Sequence, residues 1–364
     1  MKNTFGNNVS VTLFGESHGK AIGAVLDGIA PGIEVDEEFI KEVLSRRRPV
    51  GAISTARREA DKFSIESGVF NGKTTGTPIC IVIPNEDTRS GDYGQMTTLA
   101  RPSHADYTAN CKYHGFEDYR GGGHFSGRIT AALCAVGAIC LSALKNKGIN
   151  IATHIKQIAD VCDRDFGDID ADINKLNRMD FAVLDDSKVN EMFEKITAAK
   201  NDGDSVGGVL ETVVTGMPAG VGEPWFDSVE SLLSHALFSI PAIKGVEFGA
   251  GFLVASMKGS EANDPFYMAN GEVKTKTNNS GGINGGITNA MPIIYRCAVR
   301  PTPTLSKEQQ TVDFKEGVDA TLAAKGRHDP CIVHRARIVV DAVSAITLCD
   351  MLATRFGTDW LGAK

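Results

Sequence analysis

Residues 23–45 read GAVLDGIAPGIEVDEEFIKEVLS, and residues 207–234 read GGVLETVVTGMPAGVGEPWFDSVESLLS. Both run in one order: an apolar β-branched stretch, a Gly/Pro turn, and a segment with the apolar spacing of a helix. A second pair keeps the order, FNGKTTGTPICIV at 70–82 and INGGITNAMPIIYR at 283–296, with one residue inserted. Each pair is separated by roughly half the chain. The expected organisation is a single domain over 1–364, made of two related halves at about 1–150 and 200–355 that share one core. Chance matching of Gly/Pro turns is the competing reading.

Outward from these stretches, VSVTLF (9–14) and AIGAVLDG (21–28) read as strands, followed by a helix from Asp36 to Arg47 with Asp36 as its cap. TPICIVI (77–83) is a buried strand. The polar, Gly-rich segment 84–125 is long enough to suggest function. Next come an apolar helix at 128–146, a strand at 150–158, a charged helix at 187–200 and a strand at 206–215. A helix at 226–239, strands at 244–256 and 292–299, and a last helix at 339–356 complete the reading.

A chain of 364 residues with 42% apolar and 23% charged residues can bury a large core without staples. The apolar run Ile129–Leu144 is shorter than the ~20 residues that span a bilayer, so no membrane segment is expected. No leader-like N-terminus is apparent, and none of the eight cysteines forms a C-x-x-C pair, which together favour the cytoplasm. A net charge of −7 argues against a nucleic-acid partner. Yet Arg46, Arg47, Arg48, Arg57 and Arg58 crowd one stretch, as a small anionic ligand would require; the bland reading is a cationic helix C-terminus.

GESHG (15–19) matches the G-x-S-x-G nucleophile elbow. An elbow needs a long helix directly after the serine, whereas KAIGAVLDGIAPG is strand and turn composition. His104, His114 and His124 recur every ten residues, a spacing unlike zinc sites, so no metal is expected.

The blocks FGESHG (14–19), RRRP (46–49), RPSHADYT (101–108), YRGGGHFSGR (119–128), HALFSIPAIKGVEFG (235–249), GGINGG (281–286) and GRHDPC (326–331) follow one another in the order seen in chorismate synthases. The chain resembles that family from near its start to about residue 355. The resemblance implies an α+β fold, a sandwich of antiparallel β-sheets with outer helices and an internal pseudo-two-fold repeat. It also implies a homotetramer. The implied reaction is the 1,4-anti elimination of phosphate from 5-enolpyruvylshikimate 3-phosphate to chorismate, with reduced FMN required.

By the same resemblance His18 acts as general acid at the leaving phosphate, His104 serves flavin N1, and Asp329 works with flavin N5, which takes the C6 proton. Ser17, Arg46, Arg47, Ser126, Arg128 and Arg327 are implied substrate contacts. His124, Phe125, Ser126, Pro241, Ala242, Gly285, Arg300, Pro301, Thr302, Pro303, Thr304 and Arg327 are implied flavin contacts. Many relatives carry Arg-Ser where His124 and Phe125 stand. Relatives also place an arginine after the RRRP block that VGAISTA (50–56) lacks, with Arg57 as a replacement. NADPH enters only indirectly, through an external flavin reductase. A serine hydrolase using Ser17 and a flavin- or anion-binding regulator are the rival readings.

Overall fold

The structure, a computed structural model, describes residues 2–48, 51–54, 60–86, 98–324 and 329–362. Its first part holds β1 (Thr4–Phe5), β2 (Ser10–Gly15), β3 (Ala21–Asp27), α1 (Glu37–Arg47), β4 (Ser64–Ser67), the short hairpin β5 (Val69–Phe70) and β6 (Lys73–Thr74), and β7 (Ile79–Pro84). After α2 (Asp106–Tyr113) and α3 (Thr130–Asn146) come β8 (Asn150–Ile158), β9 (Val161–Cys162), α4 (Ile169–Leu176), α5 (Lys188–Asn201), β10 (Gly208–Thr215) and α6 (Val229–Ser239). The remainder is β11 (Ile243–Phe248), α7 (Gly259–Ala262), the hairpins β12 (Phe266–Ala269) with β13 (Glu272–Thr275) and β14 (Ile283–Asn284) with β15 (Ile287–Thr288), then β16 (Ile293–Val299), the hairpin β17 (Gln309–Asp313) with β18 (Val318–Leu322), and α8 (Val333–Phe356).

Two five-stranded antiparallel sheets form, in the orders β1-β2-β3-β7-β4 and β11-β16-β10-β8-β9. The α+β class with antiparallel sheets is as expected. The placement of the main helices differs: α3 and α8 pack on each other and touch strands of both sheets, so they lie between the sheets and not outside them. The cause is compositional. Every residue from Thr130 to Cys140 and from Ala336 to Ala353 is buried, and a helix apolar on all sides has no face for water. The two helices cross closely at Gly137, where a Cβ would lie 2.5 Å from that of Ala342. Helix α4 does cover an outer face, setting Ile173 and Leu176 against Ala152 and Val213.

Both sequence pairs fold alike. Strand β3, a turn and α1 match β10, a turn and α6; β3 pairs with β7 as β10 pairs with β16, and a short hairpin precedes β7 and β16 alike. At equivalent points, Thr74 Oγ1 accepts from Ile33 N at 2.9 Å and donates to Ala30 O at 2.6 Å. Thr288 Oγ1 accepts from Val221 N at 2.9 Å and donates to Pro218 O at 2.6 Å. Both threonines are buried.

Other boundaries shift for physical reasons. Helix α8 starts at Val333, not 339, because His334 and Arg337, polar in sequence, are buried with partners: His334 Nε2 with Ser54 Oγ at 2.8 Å, and an Arg337 nitrogen with Met179 O at 3.1 Å. The strand expected at 244–256 stops at Phe248 and gives way to a 3-10 segment, Gly251–Ser256. Asp350 of α8 accepts from the backbone N–H groups of Asn7, Asn8 and Val9 at 3.0, 2.6 and 2.9 Å, fixing the start of β2 to the last helix.

Candidate active site

Strand β2 ends at Gly15 and the chain turns back through Glu16–Lys20 into β3. Asn85, just past β7, holds this turn: its amide donates to Glu16 O and Gly19 O, each at 2.9 Å. Ser17 N donates to Gly123 O at 3.0 Å. The turn buries Ser17 completely and leaves His18 only 8% exposed. Ser17 Oγ has no hydrogen-bond partner among the described residues, so no general base is placed on it and the hydrolase reading loses its geometry.

The segment 119–128 closes over that turn. Gly121, Gly122 and Gly123 all take positive φ (59°, 82° and 53°), a region where L side chains are strained. A Cβ on Gly121 would lie 2.2 Å from His18 Cε1 and 3.0 Å from Ser17 Oγ, while one on Gly122 would lie 3.6 Å from His104 Nε2. Two adjacent glycines therefore face two histidines that are 86 positions apart in the sequence (104 − 18). His124 Nδ1 lies 2.7 Å from Gly15 O and, as an N–H, donates to it. Ser126 caps the 3-10 turn that leads into α3.

Arg47, at the end of α1, and Arg128, at the start of α3, meet on one carboxylate. Arg47 Nη2 donates to Asp61 Oδ2 at 2.9 Å, and Arg128 Nη1 donates to Asp61 Oδ1. Arg128 Nε also donates to Asn85 Oδ1 at 3.0 Å, joining the arginine pair to the Ser17–His18 turn. Burial alone would raise the Asp61 pKa, but the charges of Arg47 and Arg128 outweigh it and hold the group below the usual carboxylate range. Asp329 pairs with Arg335, whose Nε donates to Arg47 O at 2.9 Å, so one arginine links Asp329 to the end of α1. Arg46 does not: one residue round the helix, it bonds to Glu42 and to Asn177 O.

A cavity of about 680 Å³ opens beside His104 and the end of the glycine segment at His124–Ser126. It gathers His104, His124, Phe125, Ser126, Pro241, Ala242 and Arg300, all expected flavin contacts, with Leu13, Ile129 and Ile346 among its apolar walls. Its size lies within the range of small-molecule sites. Thr304 Oγ1 accepts from Arg101 beside His104 at 3.3 Å, and Thr302 Oγ1 is buried without a partner among the described residues. Pro301 is exposed and Pro303 partly buried. Gly285 lies in the exposed turn of the β14–β15 hairpin and is not among the lining residues. Arg327 and Arg57 lie outside the described residues. Burial lowers the His104 pKa, and the charges of Arg101 and Arg300 act in the same sense, against the opposing hydrogen bond of Asp106. The sequence reading missed Asp61, Asn85 and Asp106, although Asp106 stands inside the RPSHADYT block.

The family model described as chorismate synthase matches residues 9–353. The chorismate synthase of Thermococcus gammatolerans is 46% identical over 352 residues, spanning 96% of this chain and 97% of that one. That of Bacteroides fragilis is 45% identical with the same coverage of both. A solved structure titled "Crystal Structure of Chorismate Synthase" matches with a TM-score of 0.77 at 31% identity, over 97% of this chain and 94% of that chain.

Proposed function

The chain belongs to the chorismate synthase family, lyases of the shikimate pathway, and on that premise we propose how its residues divide the reaction between them. In the 1,4-anti elimination the C3–O bond of 5-enolpyruvylshikimate 3-phosphate breaks, its electron pair leaves with phosphate, and a C6 hydrogen leaves as a proton. The observation that supports the reading is the pair Gly121 and Gly122, adjacent glycines that lie against His18 and His104 respectively.

His18 donates a proton to the departing phosphate, whose second pKa of ~6 lies close to that of an imidazole. Ser17 Oγ, buried and unpartnered among the described residues, supplies a hydroxyl to the same group. Arg47 and Arg128, steadied by Asp61, present planar forks to the phosphate and carboxylates of the substrate. Ser126, which caps the turn at Arg128 and lines the cavity, reaches toward both substrate and flavin, and Asp329 assists removal of the C6 proton.

The cavity residues fit reduced FMN. Apolar walls suit a flavin ring, and Arg300 suits a phosphate. A reduced flavin bound there would supply electron density and a basic nitrogen, chemistry no side chain offers. His104, Pro241, Ala242 and the 300–304 segment would hold it, and His104 would stabilise its negative charge. Reduced flavin comes from an external reductase, with NADPH consumed there and not here.

The two topologically matched sets are related halves of one domain, as the Thr74 and Thr288 bonds suggest. Exposed Trp225, Phe226, Phe252 and Phe266 are consistent with subunit contacts of a homotetramer. Eight free cysteines fit a cytoplasmic location. Among the described residues one helix is apolar and long enough to cross a membrane, Gly127–Asn146, and 83% of it is buried inside the protein.

An anaerobic assay decides the reading. Purified protein with reduced FMN and substrate should release phosphate and form chorismate in equal amounts; folded protein that yields neither overturns it. Activity with NADPH and oxidised FMN alone would overturn the external-reductase part.

A further inference from the structure

His104 sits in a tight turn, closed by His104 N donating to Arg101 O at 3.0 Å, directly before α2. Asp106 is the first residue of that helix, where the dipole favours a negative charge. Its carboxylate is almost sealed from solvent, with 7% of the side chain exposed. Four donors surround it: Arg101 N and Nε reach Oδ2 at 3.0 and 2.8 Å, and Arg101 Nη2 and His104 Nδ1 reach Oδ1, each at 2.7 Å.

Arg101 Nη2 also lies 3.0 Å from His104 Nδ1, which on its own would allow Nδ1 to accept. The carboxylate decides the matter. A bare Nδ1 lone pair 2.7 Å from an ionised oxygen is repulsive, whereas an Nδ1–H satisfies both groups. Arg101 cannot give up its charge, so Asp106 has no reason to carry a proton. The contact between Nη2 and Nδ1 follows from both donating to the same oxygen.

We propose that Asp106 is a positioning residue for the reaction: it fixes the proton of His104 on Nδ1, leaves Nε2 bare beside Gly122 and the flavin cavity, and stabilises the imidazolium when Nε2 takes a proton. Arg101 holds Asp106 in place and ties it to the flavin segment through Thr304. Hydrogen bonds from Arg101 and His104 overcome the burial of Asp106 and keep it well below the usual carboxylate range. His104 itself is shifted toward the neutral form by burial. The groups facing it are Arg101, Asp106, Arg300 and, round a small chamber behind the ring, Glu117, Asp118, Tyr119 and Lys315.

This inference rests on placing His104 at the flavin, and its test is independent of turnover. In protein labelled with 15N-histidine, His104 should show a protonated Nδ1 and a bare Nε2 at neutral pH. Asp106→Asn should move the proton to Nε2, lower kcat by about a hundredfold with little change in KM, and shift the His104 limb of the pH profile; Asp106→Glu should recover most of the rate. An Nε2–H tautomer in the unaltered protein, or unchanged kcat and pH profile in folded Asp106→Asn, overturns the proposal. The first measurement needs no variant, so a misfolded substitution leaves it decisive. Failure of the anaerobic assay would remove the functional reading while the tautomer result still stood.

Discussion

Gly121 lies against His18 so closely that a Cβ on it would fall 2.2 Å from Cε1 and 2.3 Å from Nδ1 of the imidazole. The glycine is thus part of the wall that orients the acid. Gly121→Ala must displace His18 and strain a backbone with φ of 59°. Misplacing a catalytic group by about 1 Å can cost about a hundredfold in rate. The expected result is a loss of that order in kcat with a drop of about 1–2 kcal/mol in stability, read by steady-state assay and thermal melting.

His18→Ala and His104→Ala should each lower turnover by about 10²–10⁴ while far-UV circular dichroism and melting change little. Rates within twofold of the parent would remove the role assigned to that residue.

Asp61 separates two guanidinium groups. Asp61→Ala leaves Arg47 and Arg128 without their shared carboxylate and should cost about 3–5 kcal/mol of stability. Inorganic phosphate should raise the melting temperature of this variant more than that of the parent, because the anion replaces the missing charge. Equal shifts would show that the pair does not bind anions.

The matched threonines give a paired prediction. Thr74→Val and Thr288→Val each orphan a buried N–H, of Ile33 and of Val221, and each should cost about 1–3 kcal/mol in chemical denaturation. A large cost at one site and none at the other would contradict their equivalence.

Burial, with the charge of Arg335 adding to it, pushes the His334 pKa down to about 3, well below the usual imidazole range. The folded protein therefore disfavours its protonation. This contribution is fully present above the unfolded pKa and is lost as pH falls toward the folded one, by up to about 1.4 kcal/mol per pH unit. Denaturation curves between pH 7 and 4 should show His334→Gln losing less stability than the parent. Parallel curves would count against the burial argument.

Much of this architecture could be read in the chain. The two sequence pairs become the same strand–turn–helix and hairpin–strand units, since a Gly/Pro turn between apolar runs constrains the backbone locally. The position of α3 was also within reach, because a helix apolar on every face belongs inside. The arginine cluster was harder to resolve. Arg46 and Arg47 are neighbours in sequence, yet a step of about 100° round α1 sends one to Asn177 and the other to Asp61. Asp61 itself stands in an unpatterned polar stretch with φ of 50°, and only the tertiary fold brings it to Arg47 and Arg128. Gly121 was visible as a letter in YRGGGHFSGR, but nothing in that run shows that His18 lies against it. Asp106 was likewise visible, and its bond to His104 depends on how the turn at Ser103 folds back.

The Asp350 carboxylate that accepts from Asn7, Asn8 and Val9 has a bearing on synthesis. A ribosome adding about 5–20 residues per second exposes the start of β2 many seconds before it makes the helix that holds it. Lys2–Phe5 and Val11 line one side of the flavin-sized cavity, and Val343 and Ile346 another. The nascent chain can assemble its first sheet early, but the binding chamber closes only when translation reaches the last helix. A ribosome-bound fragment ending before residue 333 should therefore carry the His18 turn and still fail to retain flavin.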